Sequence, residues 1–269
     1  MAEGLERLES ISRRYSELME SVIEQTRPTV ERATRIATDV LDAIQRIDSL
    51  RPPNYAELDM EEMFRLFRIA RDDGIATAWT TPPHVLSSLL SAETSPNRQA
   101  VIVKSRKEII DECLERLEYR MKVEPGDRSL EHAYEAVDAL HRGLDNLAQS
   151  HAVVLTDSLI VDVLNRSTVG SSLDDWTEKD SDETPYVDFW MAIMLVPAHR
   201  AYSRFFWLRG DPIPENLNRH ATSHRAFQAG VYTARNALEA VMLATSVALG
   251  VDKMRTADDM HKRNLPGLE

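Results

Sequence analysis

The chain has a single cysteine in 269 residues, which excludes an internal disulfide framework and fits a reducing, cytoplasmic setting. It has only nine glycines, too few for a protein built on many tight turns, where glycine supplies positive φ. No run of roughly 18 apolar residues occurs, so no membrane-spanning helix is expected. Met1–Glu6 lacks a basic segment leading into an apolar one, so no secretory signal is expected either. Basic charge is in deficit, with 32 Lys and Arg against 44 Asp and Glu and a net charge of −12. Phosphate repels such a chain at long range, which opposes broad coating of a nucleic acid. A glycine-rich phosphate loop, a serine nucleophile elbow and a Cys-x-x-Cys pair are also missing, which removes the common nucleotide, hydrolase and thiol-redox signatures.

What is present is helix-forming sequence. Hydrophobic residues make up 43% and charged residues 28%, proportions of a globular protein with a real core. Apolar side chains recur at three- and four-residue steps, and no β-hairpin signal interrupts them, so the expected fold is all-α, a multi-helix bundle. Residues 5 to 50 read as two runs split at Pro28, a helical hairpin or coiled-coil-like arm suited to binding a protein partner. A third helix is expected over Asp59–Asp73, with Met63, Leu66, Phe67 and Ala70 inward and Gly74 as its stop. These elements suggest an N-terminal helical arm over residues 1–73 and a C-terminal helical domain over 74–269.

Within the second part, Pro82-Pro83 opens a short helix and Ser95-Pro96 a long one to about Met121. Cys113 falls on its apolar side, as a buried structural thiol. Pro125-Gly126-Asp127 is a turn. Leu130 to Leu164 forms two helices or one bent one, its apolar positions including Leu144, Leu147 and Val154. Residues 167–184 are the best loop or linker candidate. Tyr186 to Leu208 is read as an aromatic-rich helix carrying Trp190, Tyr202, Phe205, Phe206 and Trp207, in the core or as a base-stacking set. Thr233 caps a final helix that ends at Gly250. Asp72-Asp73 and Glu61-Glu62 read as solvated surface. His132, His141 and His151 lie on helices with no ligand partner at matching steps.

Groups able to act near neutral pH concentrate in Asn218-Arg219-His220-Ala221-Thr222-Ser223-His224. The surrounding stretch from Leu195 to Arg235 holds six arginines against two acids. Just upstream, Asp174 to Asp188 holds seven acids and one lysine. A basic patch on an acidic body suits one phosphate-bearing segment, whereas mutual pairing of the two stretches would leave only a fixed turn. His220 and His224, four apart, would share a face if helical and could take a metal, but no third ligand is evident beyond the remote His199. No metal or cofactor is therefore expected.

The Arg-x4-His spacing of Arg219 and His224, with polar His220 next to the arginine, resembles the signature of the HEPN superfamily. These are all-helical proteins found in bacterial toxins and phage-defence systems, and many are metal-independent endoribonucleases acting as dimers. The resemblance covers the motif and the helical C-terminal half, about residues 130–250. It implies a homodimer in which Arg219 and His224 perform the chemistry and Asn218 and His220 orient substrate or the catalytic imidazole. Arg209, Arg225 and Arg235 would hold flanking phosphates of an RNA. The chemistry is coherent: RNA cleavage by its own 2′-OH needs a proton acceptor and a cation against the phosphorane, which histidine and arginine supply. The alternative reading is a non-catalytic helical interaction or scaffold protein.

Overall fold

The computed structural model describes residues 50–164 and 186–264, with side chains over 50–162 and 189–256. Residues 1–49 of the expected N-terminal arm over 1–73, and the linker at 167–184, lie outside the described residues. Nine α-helices pack together and no strand occurs among the described residues, so the fold is an all-α multi-helix bundle. The helices are α1 (Met60–Asp73), α2 (Pro83–Ser91), α3 (Ser95–Lys104), α4 (Arg106–Val123), α5 (Arg128–His141), α6 (Asp145–Leu164), α7 (Tyr186–Ala201), α8 (Arg219–His224) and α9 (Ala234–Asn264). None is long and apolar enough to cross a membrane.

Local chemistry sets several boundaries. Asp59 begins α1 with a capping box: its carboxylate accepts from the Glu62 N–H at 2.9 Å while the Glu62 side chain accepts from the Asp59 N–H. Gly74, in the left-handed region at φ +75°, ends it. Met63, Leu66, Phe67 and Ala70 are all buried as their spacing predicts, and α1 packs on α7 and α2. Glu62 is thus engaged in the cap. Asp73 is buried rather than solvated, because Arg98 reaches it from α3.

The predicted helix from Ser95 is two, broken at Ser105, whose ψ of 14° turns the chain between α3 and α4. Leu130 to Leu164 is likewise two helices, joined through Gly143 at φ +76°. Leu144, Leu147 and Val154 are exposed instead of inward. The aromatic helix stops at Ala201, not Leu208. Beyond it the chain is irregular, with one 3-10 turn at Trp207–Arg209; Phe205 is buried, and Phe206 and Trp207 reach solvent.

Helix α9 is the axis of the bundle and packs against α4, α5, α6 and α7. Its residues from Ala237 to Val251 are apolar on nearly every side and almost all buried, as a helix wrapped by others must be. Thr233 caps it, accepting from the Asn236 N–H at 3.0 Å. Gly250 does not end it, because the helix runs on to Asn264. That glycine serves close packing: a Cβ there would lie 2.1 Å from Met194 Sδ on α7 and 3.3 Å from the Trp79 ring. Trp79 itself sits at φ +62°, in a loop that Asn54 fastens through the Thr77 and Thr81 carbonyls and the Trp79 N–H. Gly250→Ala gains about 1 kcal/mol of helix propensity but forces buried Met194 aside, an overpacking cost of about 1–3 kcal/mol. A net loss of about 1 kcal/mol is expected in urea unfolding.

Cys113 is fully buried, and burial pushes its thiol up to about 12. It is a structural residue with no thiolate at neutral pH.

Candidate active site

Between α7 and α9 the chain makes a polar excursion over residues 202–233, and its side chains anchor it to one face of α6. Gln149 Nε2 donates to Thr222 Oγ1 at 2.9 Å and to the Val231 carbonyl at 3.1 Å. The hydroxyls of Ser150 and Tyr232 meet at 2.6 Å. Beneath, Phe205, Ala221 and Val231 form a small apolar cluster against which Ile213 and Tyr232 pack.

The excursion delivers the Arg–His motif as the short helix α8. Asn218 is its N-cap: Oδ1 accepts from the Ala221 N–H at 2.9 Å, and Nδ2 donates to the Ser203 carbonyl at 2.9 Å. Both ends of this buried amide are engaged, so Asn218 positions the helix. Arg219, the first helical residue, donates from Nη2 to Asp157 Oδ2 on α6 at 2.8 Å. Tyr202 donates to the other oxygen of Asp157 at 3.0 Å. Burial first, and then the Asp157 charge, push the Tyr202 hydroxyl far above its usual range, so it stays a donor. The acid that holds Arg219 thus comes from α6, outside the acidic stretch 174–188.

His220 and His224, one helical turn apart, stack with ring centroids 6.2 Å apart and planes 28° from parallel. His220 is half-buried and His224 exposed. Burial, then the Arg219 charge, then the His224 charge hold the His220 imidazole below its ordinary value, against the opposing pull of Asp157. It is therefore a neutral proton acceptor at pH 7. The cavity under Arg219, lined by Val153, Thr156, Tyr202 and Leu217 among others, is about 10 Å³ and admits at most one water.

The three flanking arginines are held differently. Arg225 lies 4.9 Å from the centroids of both the Trp207 and Phe227 rings. Arg209 lies 4.4 Å from that of Phe206. The side chains of Phe206, Trp207, Leu208 and Phe227 are exposed, so arginine and aromatic groups alternate on one open surface. Arg235 instead turns inward to the Glu215 carbonyl and the Asn216 side chain.

Next to Arg235 is Glu239, 5% exposed on α9. Its carboxylate oxygen lies 3.8 Å from Arg235 Nε, yet burial outweighs that charge and pushes the carboxyl up to about 7. A carboxyl raised on folding holds its proton in the folded state, so its contribution is complete at low pH and is lost as pH rises through about 7. Glu239→Gln is expected to raise stability by up to about 3 kcal/mol at pH 8 and to change it little at pH 5, as read from melting at the two pH values.

Sequence reasoning found the motif but missed its partners. Asp157 and Tyr202 lie outside the motif and carry no spacing signal toward it. His132 and His151, read as lacking ligand partners, meet at Glu135: His132 Nδ1 is 3.0 Å and His151 Nε2 is 3.6 Å from Oε2. Only the i,i+3 step from His132 to Glu135 was visible beforehand. No family model, curated protein or solved structure matches the chain.

Proposed function

We propose that this protein is a HEPN-like, metal-independent endoribonuclease acting as a homodimer, with the toxin or phage-defence role that the resemblance implies. The observation that carries the reading is the stacked His220–His224 pair beside Arg219, whose guanidinium Asp157 fixes from behind. His220 accepts the proton of the RNA 2′-OH, since its surroundings keep it neutral. The oxygen attacks the adjacent phosphorus, and the Arg219 donors not used by Asp157 stabilise the charge that develops. His224, exposed on the same face and entering the step as the imidazolium, gives its proton to the departing 5′-oxygen, and exchange with water then resets both imidazoles. Products therefore end in a 2′,3′-cyclic phosphate and a 5′-hydroxyl. Arg209 and Arg225, with Phe206, Trp207 and Phe227, hold flanking nucleotides by charge and stacking.

The test is incubation of the full chain with single-stranded RNA in EDTA. Cleavage to cyclic-phosphate ends supports the reading, and intact RNA overturns it. The interaction-protein reading is favoured by one specific feature, the exposed apolar group Leu208, Trp207 and Phe227. It requires that alanine at His224 change nothing.

A further inference from the structure

The turn at Gly143 folds α5 and α6 against each other and assembles three metal-ligating side chains that are not part of the Arg–His motif. His132 and Glu135 stand one turn apart on α5, and His151 comes from α6. Their rings and carboxylate converge: the two imidazole centroids are 5.4 Å apart, and the three ligand atoms all lie within 4.8 Å of one another. We propose that His132, Glu135 and His151 form a binding site for a divalent transition-metal ion, zinc above all.

Three observations carry this. First, tetrahedral zinc with bonds of about 2.0–2.1 Å sets its ligand atoms about 3.4 Å apart. The separations of 3.0 Å from His132 Nδ1 and 3.6 Å from His151 Nε2 to Glu135 Oε2 bracket that value, and the two imidazole nitrogens, within 4.8 Å of each other, need only draw together around the ion. Second, His151 Nε2 is sealed from water and makes no hydrogen bond, although it faces the carboxylate. A buried ring nitrogen without a partner is costly, and a cation between it and Glu135 satisfies both. Third, two imidazoles and one carboxylate suit zinc, cobalt, nickel or copper and not the oxygen-seeking calcium or magnesium. Side-chain exposures of 40% for His132, 61% for Glu135 and 34% for His151 leave a path for the ion and an open position for water. The ion ties α5 to α6. It requires neither Arg219 nor His224, so this site and the ribonuclease reading stand or fall separately.

The test is titration of metal-stripped full-length protein with Co²⁺, read by ligand-field absorption and then by displacement with Zn²⁺. One equivalent per chain is expected, with micromolar or tighter affinity. His132→Ala and His151→Ala should each weaken uptake by roughly tenfold or more, as loss of a ligand costs at least what loss of its supporting shell does. Glu135→Gln, at an exposed position, should weaken it too and keeps the test open if a histidine variant misfolds by circular dichroism. The His220→Ala/His224→Ala double variant should bind as the parent does. Absence of uptake by the parent overturns the proposal. So does uptake that survives loss of His132 and His151, or that vanishes with His220 and His224.

Discussion

Alanine at His224 is expected to lower RNA cleavage about 10²–10⁴-fold, the range that a positioned acid–base group contributes. Arg219→Ala should fall by a comparable factor of about 10²–10³, since it removes the donors aimed at the developing charge. Folding should change far less, because Arg219 and Asp157 keep about 29% and 30% side-chain exposure and such solvated pairs contribute little. The pH profile adds a second signature. His220 is held below its ordinary value, so activity should persist as pH falls through about 6.5 and decline only beneath it. Initial rates in EDTA across pH, for parent and variants, check both. Undiminished cleavage in both His224→Ala and Arg219→Ala would take these residues out of the chemistry and remove the HEPN-like assignment, whereas intact RNA with the parent leaves the interaction reading.

Asp252→Ala is expected to cost about 3–5 kcal/mol of folding free energy, because it strands a buried cation. Arg120 on α4 donates to both oxygens of Asp252 on α9, at 2.7 and 3.0 Å. Their side chains are only 10% and 4% exposed. In the native chain the Asp252 hydrogen bond raises the Arg120 guanidinium further, and without Asp252 an arginine still keeps its proton, so the stranded cation cannot escape by neutralising. Glu124, at 4.0 Å, gives a fallback half open to solvent and recovers little. The joint variant Arg120→Met/Asp252→Leu should cost much less, since an apolar pair leaves no charge behind. Urea denaturation of the single and joint variants measures the difference. Equal losses in the two would mean that packing, and not the stranded charge, sets the cost.

Where boundary chemistry is local, the fold could be read in advance. Asp59, Glu62 and Gly74 carry the start and stop of α1 in their own side chains and backbone. Gly250 misled because a glycine after an apolar run has two physical uses, an αL stop and a close helix contact, and only the packing of Met194 tells them apart. The stretch after Ala201 keeps aromatic residues at helical spacing. Its exposed surface is instead occupied by arginine stacking, which no periodicity encodes. The motif Arg219–His224 was visible, but the side chains that hold it in place were not. Asp157 and Tyr202 are brought in by the packing of α6 and the end of α7, contacts distant in sequence. The same holds for His151 against His132 and Glu135.

The small apolar cluster of Phe205, Ala221 and Val231 has a consequence for how the molecule comes apart. It is a small cluster of its own, and apart from hydrogen bonds to α6 and α9 it holds down residues 202–233 with few buried groups. Such a segment opens at a lower free energy than the bundle that carries it. The helix axis can therefore stay intact while α8 and its histidines detach and reattach. In this chain, placement of the Arg–His surface and integrity of the scaffold are set by two different thresholds, with the surface resting on the lower one.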